Sequence, residues 1–173
     1  MNPIDNPYTP GAGTPPPELA GRDSVLQQAE ITIKRVLKNK SAKSQILLGL
    51  RGVGKTVLLN RINQIAESLD CQTAIFEATP NHSLPELLTQ HLHKLLLKLD
   101  RRKKVGEDIQ MTFRMLRNFA SAFKVKVGEF EVGLANKGVT GDLSIDLTDL
   151  FVSIGEAAKK RNTAAILFID EIQ

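Results

Sequence analysis

From residue 24 onward, apolar positions recur with helical spacing in five blocks, and three short blocks are apolar almost throughout. Val25, Leu26, Ala29, Ile33, Val36 and Leu37 fall on one face of a helix that runs to about Lys38–Lys40. Ser24-Val25-Leu26-Gln27 has capping-box spacing, which predicts the start of that helix at Ser24. Val57, Leu58, Ile62, Ile65, Ala66 and Leu69 predict a second helix. A third carries Leu87, Leu88, Leu92, Leu95, Leu96 and Leu99, opened by Ser83-Leu84-Pro85-Glu86 with proline in the tolerated first turn. Ile109, Phe113, Leu116, Phe119 and Ala120 mark a fourth, and Leu147, Leu150, Phe151, Ile154, Ala157 and Ala158 a fifth. Gln45–Leu48, Thr73–Phe76 and Ala164–Ile169 read as strands, the last with the unbroken apolar run of a strand buried on both faces. Lys124–Val127 and Glu129–Val132 alternate around Gly128, a hairpin or ribbon signal, with a loop from Asn136 to Asp142 behind it. Helices alternating with apolar strands predict an α/β fold with a parallel sheet.

Composition adds a boundary. Pro3, Pro7, Pro10, Pro15, Pro16 and Pro17 precede the first helix, with Gly11 and Gly13 among them. Residues 1–17 are therefore expected to be an extended, polyproline-like leader, because proline fixes φ and removes a donor. Apolar residues make up 42% of the 173, enough for a core and too many for wholesale disorder. The longest uncharged apolar run, Ala164–Ile169, is far shorter than a bilayer span, and no secretory signal pattern opens the chain. One cysteine, Cys71, excludes an intrachain disulfide and fits a reducing compartment. A cytoplasmic protein with no membrane partner is the expectation. The net charge of +4 permits a nucleic-acid partner without arguing for one.

The strongest chemical signal is Gly49-Leu50-Arg51-Gly52-Val53-Gly54-Lys55-Thr56, which satisfies G-x-x-x-x-G-K-[ST] between an apolar run and an amphipathic helix. A triphosphate needs many donors at short range. Glycines let the backbone curl so that successive N–H groups form an anion nest, and the following helix adds its unpaired N–H groups and dipole. Gly49 through Thr56, with Val57 in the first helical turn, are the expected nucleotide-binding residues. Lys55 supplies the charge for the outer phosphates, and the Thr56 hydroxyl is the expected ligand of Mg²⁺.

The second signal is Ile166-Leu167-Phe168-Ile169-Asp170-Glu171, an apolar strand ending in two acids, the form of a Walker B segment. Open α/β sheets bind ligands at the carboxyl ends of their strands. Asp170 is expected to hold Mg²⁺, and Glu171 to take a proton from the attacking water or orient it. Adjacent acids favour a hydrolytic ATPase over a GTPase or a small-molecule kinase.

These stretches resemble the AAA+ class of P-loop ATPases, and within it the initiator-like branch of origin-recognition and Cdc-type ATPases with their bacterial relatives. Leu19-Ala20-Gly21-Arg22-Asp23 resembles that branch's motif ahead of the phosphate loop, which in the family helps enclose the adenine. The phosphate loop, the Walker B stretch Ala164–Gln173 and the segment Ser144–Gly155 complete the resemblance, which spans residues 18–173. It implies a parallel sheet of the P-loop NTPase type flanked by helices, with ATP and Mg²⁺ as ligands. ATP is preferred to GTP on this resemblance and on the Asp-Glu pair. Lys55 and Asp170 stand 115 positions apart, long for the class, so residues 101–146 are expected to be an inserted helix and ribbon. The family's next strand carries a polar γ-phosphate sensor, and an arginine finger and helical lid follow. The expectation is thus a domain incomplete at its C-terminus, a fragment inactive by itself whose full-length protein hydrolyses ATP. Two other functions share these motifs, a nucleotide-dependent signalling switch of the signal-transducing NTPase type and a DNA-binding initiator. Self-association and a DNA or protein partner go with them.

The remaining features have plainer readings. Arg101-Arg102-Lys103-Lys104 is expected to be a solvated basic loop, the alternative being a patch for nucleic acid or acidic partners formed with Lys94 and Lys98 of the preceding helix. Arg22 has a structural role as its first reading, with contact to nucleotide or to a core acid as the options. Arg51 faces either solvent or a phosphate or neighbouring subunit. His91 and His93 are two apart on a helix and point to different faces, poor geometry for a shared metal. Cys71 is expected to be a packed thiol.

Overall fold

A computed structural model describes residues 22–50, 52–101, 106–125 and 140–172. The proline-rich leader, Leu19–Gly21, Arg51, the basic residues 102–104, most of the expected ribbon and Gln173 lie outside the described residues. The chain divides into two compact units, the first ending at Leu69 and the second beginning at Asp70.

In the first unit, α1 (Asp23–Leu37) packs on α2 (Lys55–Ser68). Ala29 and Ile33 of α1 and Leu58, Ile62 and Ala66 of α2 are buried, as the 3.6-residue period predicts. The start of α1 differs from the capping-box expectation. Its N-cap is Arg22 with no side-chain cap, so Ser24 already lies inside the helix. Its end is a six-residue closure, in which the Lys40 N–H donates to the Arg35 carbonyl while Asn39 takes a left-handed φ of 55°.

The expected strand Gln45–Leu48 does not form, and Ile46 and Leu48 are 78% and 87% exposed. The run has the composition of a buried strand but no ladder neighbour among the described residues, and an unpaired strand satisfies its backbone groups with water instead. The segment is held on α1 by polar contacts. Arg35 donates to the Ser41 carbonyl at 3.0 Å, and the Gln45 amide donates to the Thr32 hydroxyl at 3.2 Å.

The second unit contains β1 (Gln72–Glu77), α3 (Leu84–Arg101), α4 (Glu107–Ala122), α5 (Leu143–Lys159) and β2 (Ala165–Asp170). β1 and β2 pair in parallel with Gln72 opposite Ala165 and Glu77 opposite Asp170. Parallel neighbours need a crossover, and three helices supply it. Strand alternation puts Ala74, Phe76, Ala165, Leu167 and Ile169 on the face that meets the helical core. That core is built on Leu88, Leu92, Leu95, Leu96 and Leu99 of α3, Ile109, Leu116 and Phe119 of α4, and Leu150 and Ile154 of α5. β2 is less buried than its sequence predicts. Phe168 is buried, but Ala165, Ile166, Leu167, Ile169 and Asp170 are half-buried, because one strand alone flanks it among the described residues. α4 lies within the stretch read as an insertion, yet it contributes to the core like its neighbours.

Polar side chains close the ends of this unit. Arg161, buried in the turn after α5, donates to the carbonyls of Leu99 and Ala157 at 2.9 Å each and pairs with Asp108 at 2.7 Å. The Thr163 hydroxyl donates to the Asp70 carbonyl at 2.7 Å, tying the entry of β2 to the entry of β1. Asp142 caps α5 by accepting from the N–H groups of Ser144 and Ile145. Among the described residues, no helix is long and apolar enough to cross a membrane.

Candidate functional site

The phosphate-loop residues lie in the first unit and the acidic pair in the second. In the loop, Gly52 and Gly54 have φ of +82° and +80°. A Cβ at either would meet nothing within 4 Å, so the backbone conformation rather than crowding calls for glycine there. Gly54 is the N-cap of α2, and Lys55 and Thr56 begin the helix, with Val57 next. The loop thereby feeds directly into a helix N-terminus, whose first N–H groups have no partner within the helix.

The loop closes on itself. The Lys55 ammonium donates to the carbonyls of Gly49 at 2.9 Å and Leu50 at 2.8 Å. The Val53 side chain covers Gly49, where an added Cβ would lie 3.1 Å from Val53 Cγ2. From outside the loop, the Arg22 guanidinium donates to the Val53 carbonyl at 2.9 Å. Gly49, Leu50, Val53 and Lys55 are thus brought together as one ring. Arg22 has a backbone carbonyl as partner, not the core acid weighed from the sequence. The donor set of this loop suits phosphate oxygens: two left-handed glycines, a helix start and one ammonium.

In the second unit, Asp170 ends β2 and Glu171 follows it with a left-handed φ of 51°. The Glu171 N–H donates to the Asp170 carboxylate at 3.0 Å, and the Ala78 N–H donates to the Asp170 carbonyl at 2.9 Å. Glu77 is the register partner of Asp170, so both strands end in an acid at the same edge. Glu77 was not singled out from the sequence, although an apolar run ending in an acid, as β2 does, is a signal that could have found it. Among the described residues, no three His, Cys, Asp or Glu side chains are grouped to hold a metal ion.

Of the other side chains weighed from the sequence, His91, His93 and Cys71 serve packing. His91 stacks on Phe76 with centroids 4.5 Å apart, and His93 meets Phe113 edge-on at 5.6 Å. Burial, and then the charges of Lys94 and Arg117 respectively, push both imidazoles below their usual range. His82 pairs with Glu86 at 3.3 Å. Lys98 donates to the Thr73 carbonyl at 2.9 Å, so one lysine of the expected basic surface braces β1 instead. Cys71 is buried.

A family model described as an AAA ATPase domain matches residues 18–173. Nucleotide binding and nucleotide-dependent ATPase activity go with that description. No curated protein and no solved structure matches the chain. The match covers nearly the whole chain and includes both the phosphate loop and the acidic end of β2, and this protein therefore belongs to the AAA ATPase domain family.

Proposed function

We propose that this chain is the ATP-binding core of an initiator-like AAA+ ATPase, and that the full-length protein hydrolyses Mg·ATP. In this reading residues 1–17 are a leader, residues 18–173 form part of the ATPase domain, and residues 101–146 are an insertion upon it. The observation that carries the reading is the loop Gly49–Thr56, with left-handed Gly52 and Gly54 opening α2 and Lys55 reaching across the loop.

Gly49 through Val57 bind the phosphates through backbone N–H groups. Lys55 leaves the carbonyls of Gly49 and Leu50 and turns its ammonium to the outer phosphate oxygens. Thr56 and Asp170 are the residues that would hold Mg²⁺, and the ion would supply charge neutralisation at the phosphate oxygens. Glu171 orients the attacking water and accepts its proton as the water oxygen bonds to the γ-phosphorus. The bond to the β–γ bridging oxygen breaks, leaving ADP and inorganic phosphate. The bond from the Glu171 N–H holds the Asp170 carboxylate against the backbone at the end of β2.

Binding and turnover of Mg·ATP by the complete protein test this. Lys55→Ala is expected to abolish detectable nucleotide binding. Glu171→Gln is expected to retain binding and to lower turnover by a factor on the order of 10² or more. Unchanged affinity in Lys55→Ala removes the phosphate-loop assignment, and normal turnover in Glu171→Gln removes the catalytic role of that acid.

A further inference from the structure

We infer that Arg22 is a positioning residue for the phosphate loop, holding the Val53 peptide so that the Gly54 N–H is presented to a bound polyphosphate. The inference rests on the phosphate-loop reading above and adds to it a residue outside the motif.

Arg22 is fixed at its own backbone. Its carbonyl accepts from the N–H groups of Val25 and Leu26 at 3.1 Å each, so its Cα is set by the first turn of α1. From there the guanidinium reaches a carbonyl 31 residues away, donating to Val53 at 2.9 Å. Val53 sits between the two left-handed glycines, the part of the loop with the most conformational freedom. Among the described residues, a Cβ at Gly52 or Gly54 would meet nothing within 4 Å.

The consequence follows from peptide geometry. Val53 C=O and Gly54 N–H belong to one planar trans unit and point in opposite directions. An arginine that draws the carbonyl to one side aims the N–H to the other. The next peptide already belongs to α2, since the Gly54 carbonyl accepts from the Leu58 N–H at 3.0 Å. Arg22 thus orients the last loop amide before the helix, and holding it in advance lowers the ordering cost when an anion binds. A guanidinium suits the task because it stays charged and donates along a fixed plane.

The test uses the full chain with three variants, Arg22→Ala, Arg22→Lys and Lys55→Ala. The ligands are Mg·ATP and Mg·tripolyphosphate, which has no base. Arg22→Ala is expected to weaken both ligands by the same factor, about fivefold, the size of one modest hydrogen bond. Arg22→Lys, which keeps a charged donor, is expected to restore most of that loss. In the ligand-free protein, the Gly54 amide resonance is expected to move in Arg22→Ala while that of Ala66, deep in α2, stays in place.

Loss of affinity for ATP with none for tripolyphosphate makes Arg22 a base contact and overturns the inference. A Gly54 resonance that does not move, or an alanine effect that lysine does not restore, overturns it too. If Lys55→Ala binds ATP normally, the phosphate-loop reading itself fails. If Lys55→Ala loses binding while Arg22→Ala binds like the parent protein, only the role of Arg22 falls.

Discussion

Replacing Arg161 by methionine tests what anchors the turn that delivers β2 and its acidic end. The Arg161 side chain is 3% exposed and satisfies two backbone carbonyls as well as Asp108. Methionine fills similar space but donates nothing, so the carbonyls of Leu99 and Ala157 lose a charged donor. Each costs on the order of 1 kcal/mol or more when left dry. The Asp108 carboxylate, 23% exposed, regains water, so the ion-pair part is small, about 1 kcal/mol. The expected loss for Arg161→Met is about 3 kcal/mol, or roughly 6–12 °C in Tm. Asp108→Asn keeps an acceptor for Arg161 and removes only charge, so its expected loss is about 1 kcal/mol.

Urea unfolding followed by far-UV circular dichroism measures both, since the chain has no tryptophan and its one tyrosine, Tyr8, lies among the prolines that precede α1. pH separates the contributions further. The hydrogen bond from Arg161 holds the Asp108 carboxyl below the usual carboxylate range. A depressed carboxyl stabilises the fold above its unfolded pKa of about 4, and that contribution is lost as pH falls through the folded value. The difference between parent and Asp108→Asn is therefore expected to vanish in acid, while most of the Arg161→Met penalty persists. If Arg161→Met costs no more than Asp108→Asn, the carbonyl bonds contribute nothing and the reasoning is refuted.

Gly106 stands as N-cap of α4, where a Cβ would collide with the Asp108 carboxylate and lie 3.9 Å from Arg161 Nη2. Gly106→Ala is expected to cost about 1–2 kcal/mol in urea unfolding, and much less in an Asp108→Ala background where the collision is gone. His91 and His93 have lowered pKa values when folded, so the unfolded chain binds protons first as pH drops below about 6.5. Stability is therefore expected to fall between pH 7 and pH 5, and a His91→Gln, His93→Gln double variant should flatten that slope. An unchanged slope would assign the loss to other groups.

The five helices were legible in the sequence because each writes its buried face locally. The leucines of α3 at 88, 92, 95, 96 and 99 are core residues in the fold as in the pattern. The phosphate loop was legible for a related reason: its glycines stand at fixed spacing in one short stretch, and Gly52 and Gly54 take the left-handed φ that glycine adopts without strain. What failed depended on partners. Gln45–Leu48 has the apolar content of a strand, but a strand exists only where another lies beside it. Ser24 had the spacing of a cap, yet the helix starts earlier at Asp23.

By itself, then, the sequence determined the helical faces, the crossover from one apolar strand to another, the glycine loop with its lysine, and membership of the family. Tertiary structure alone decided the parallel register that sets Glu77 beside Asp170, the reach of Arg161 to three helices, and the grip of Arg22 on Val53. The difference is physical. Periodicity and φ preference act over one or two turns of chain, whereas Arg22 and Val53 stand 31 residues apart, Arg161 reaches Asp108 and Leu99 across 53 and 62, and the register depends on a ladder whose strands have α3, α4 and α5 between them. Only tertiary packing of the elements brings such groups within hydrogen-bond distance.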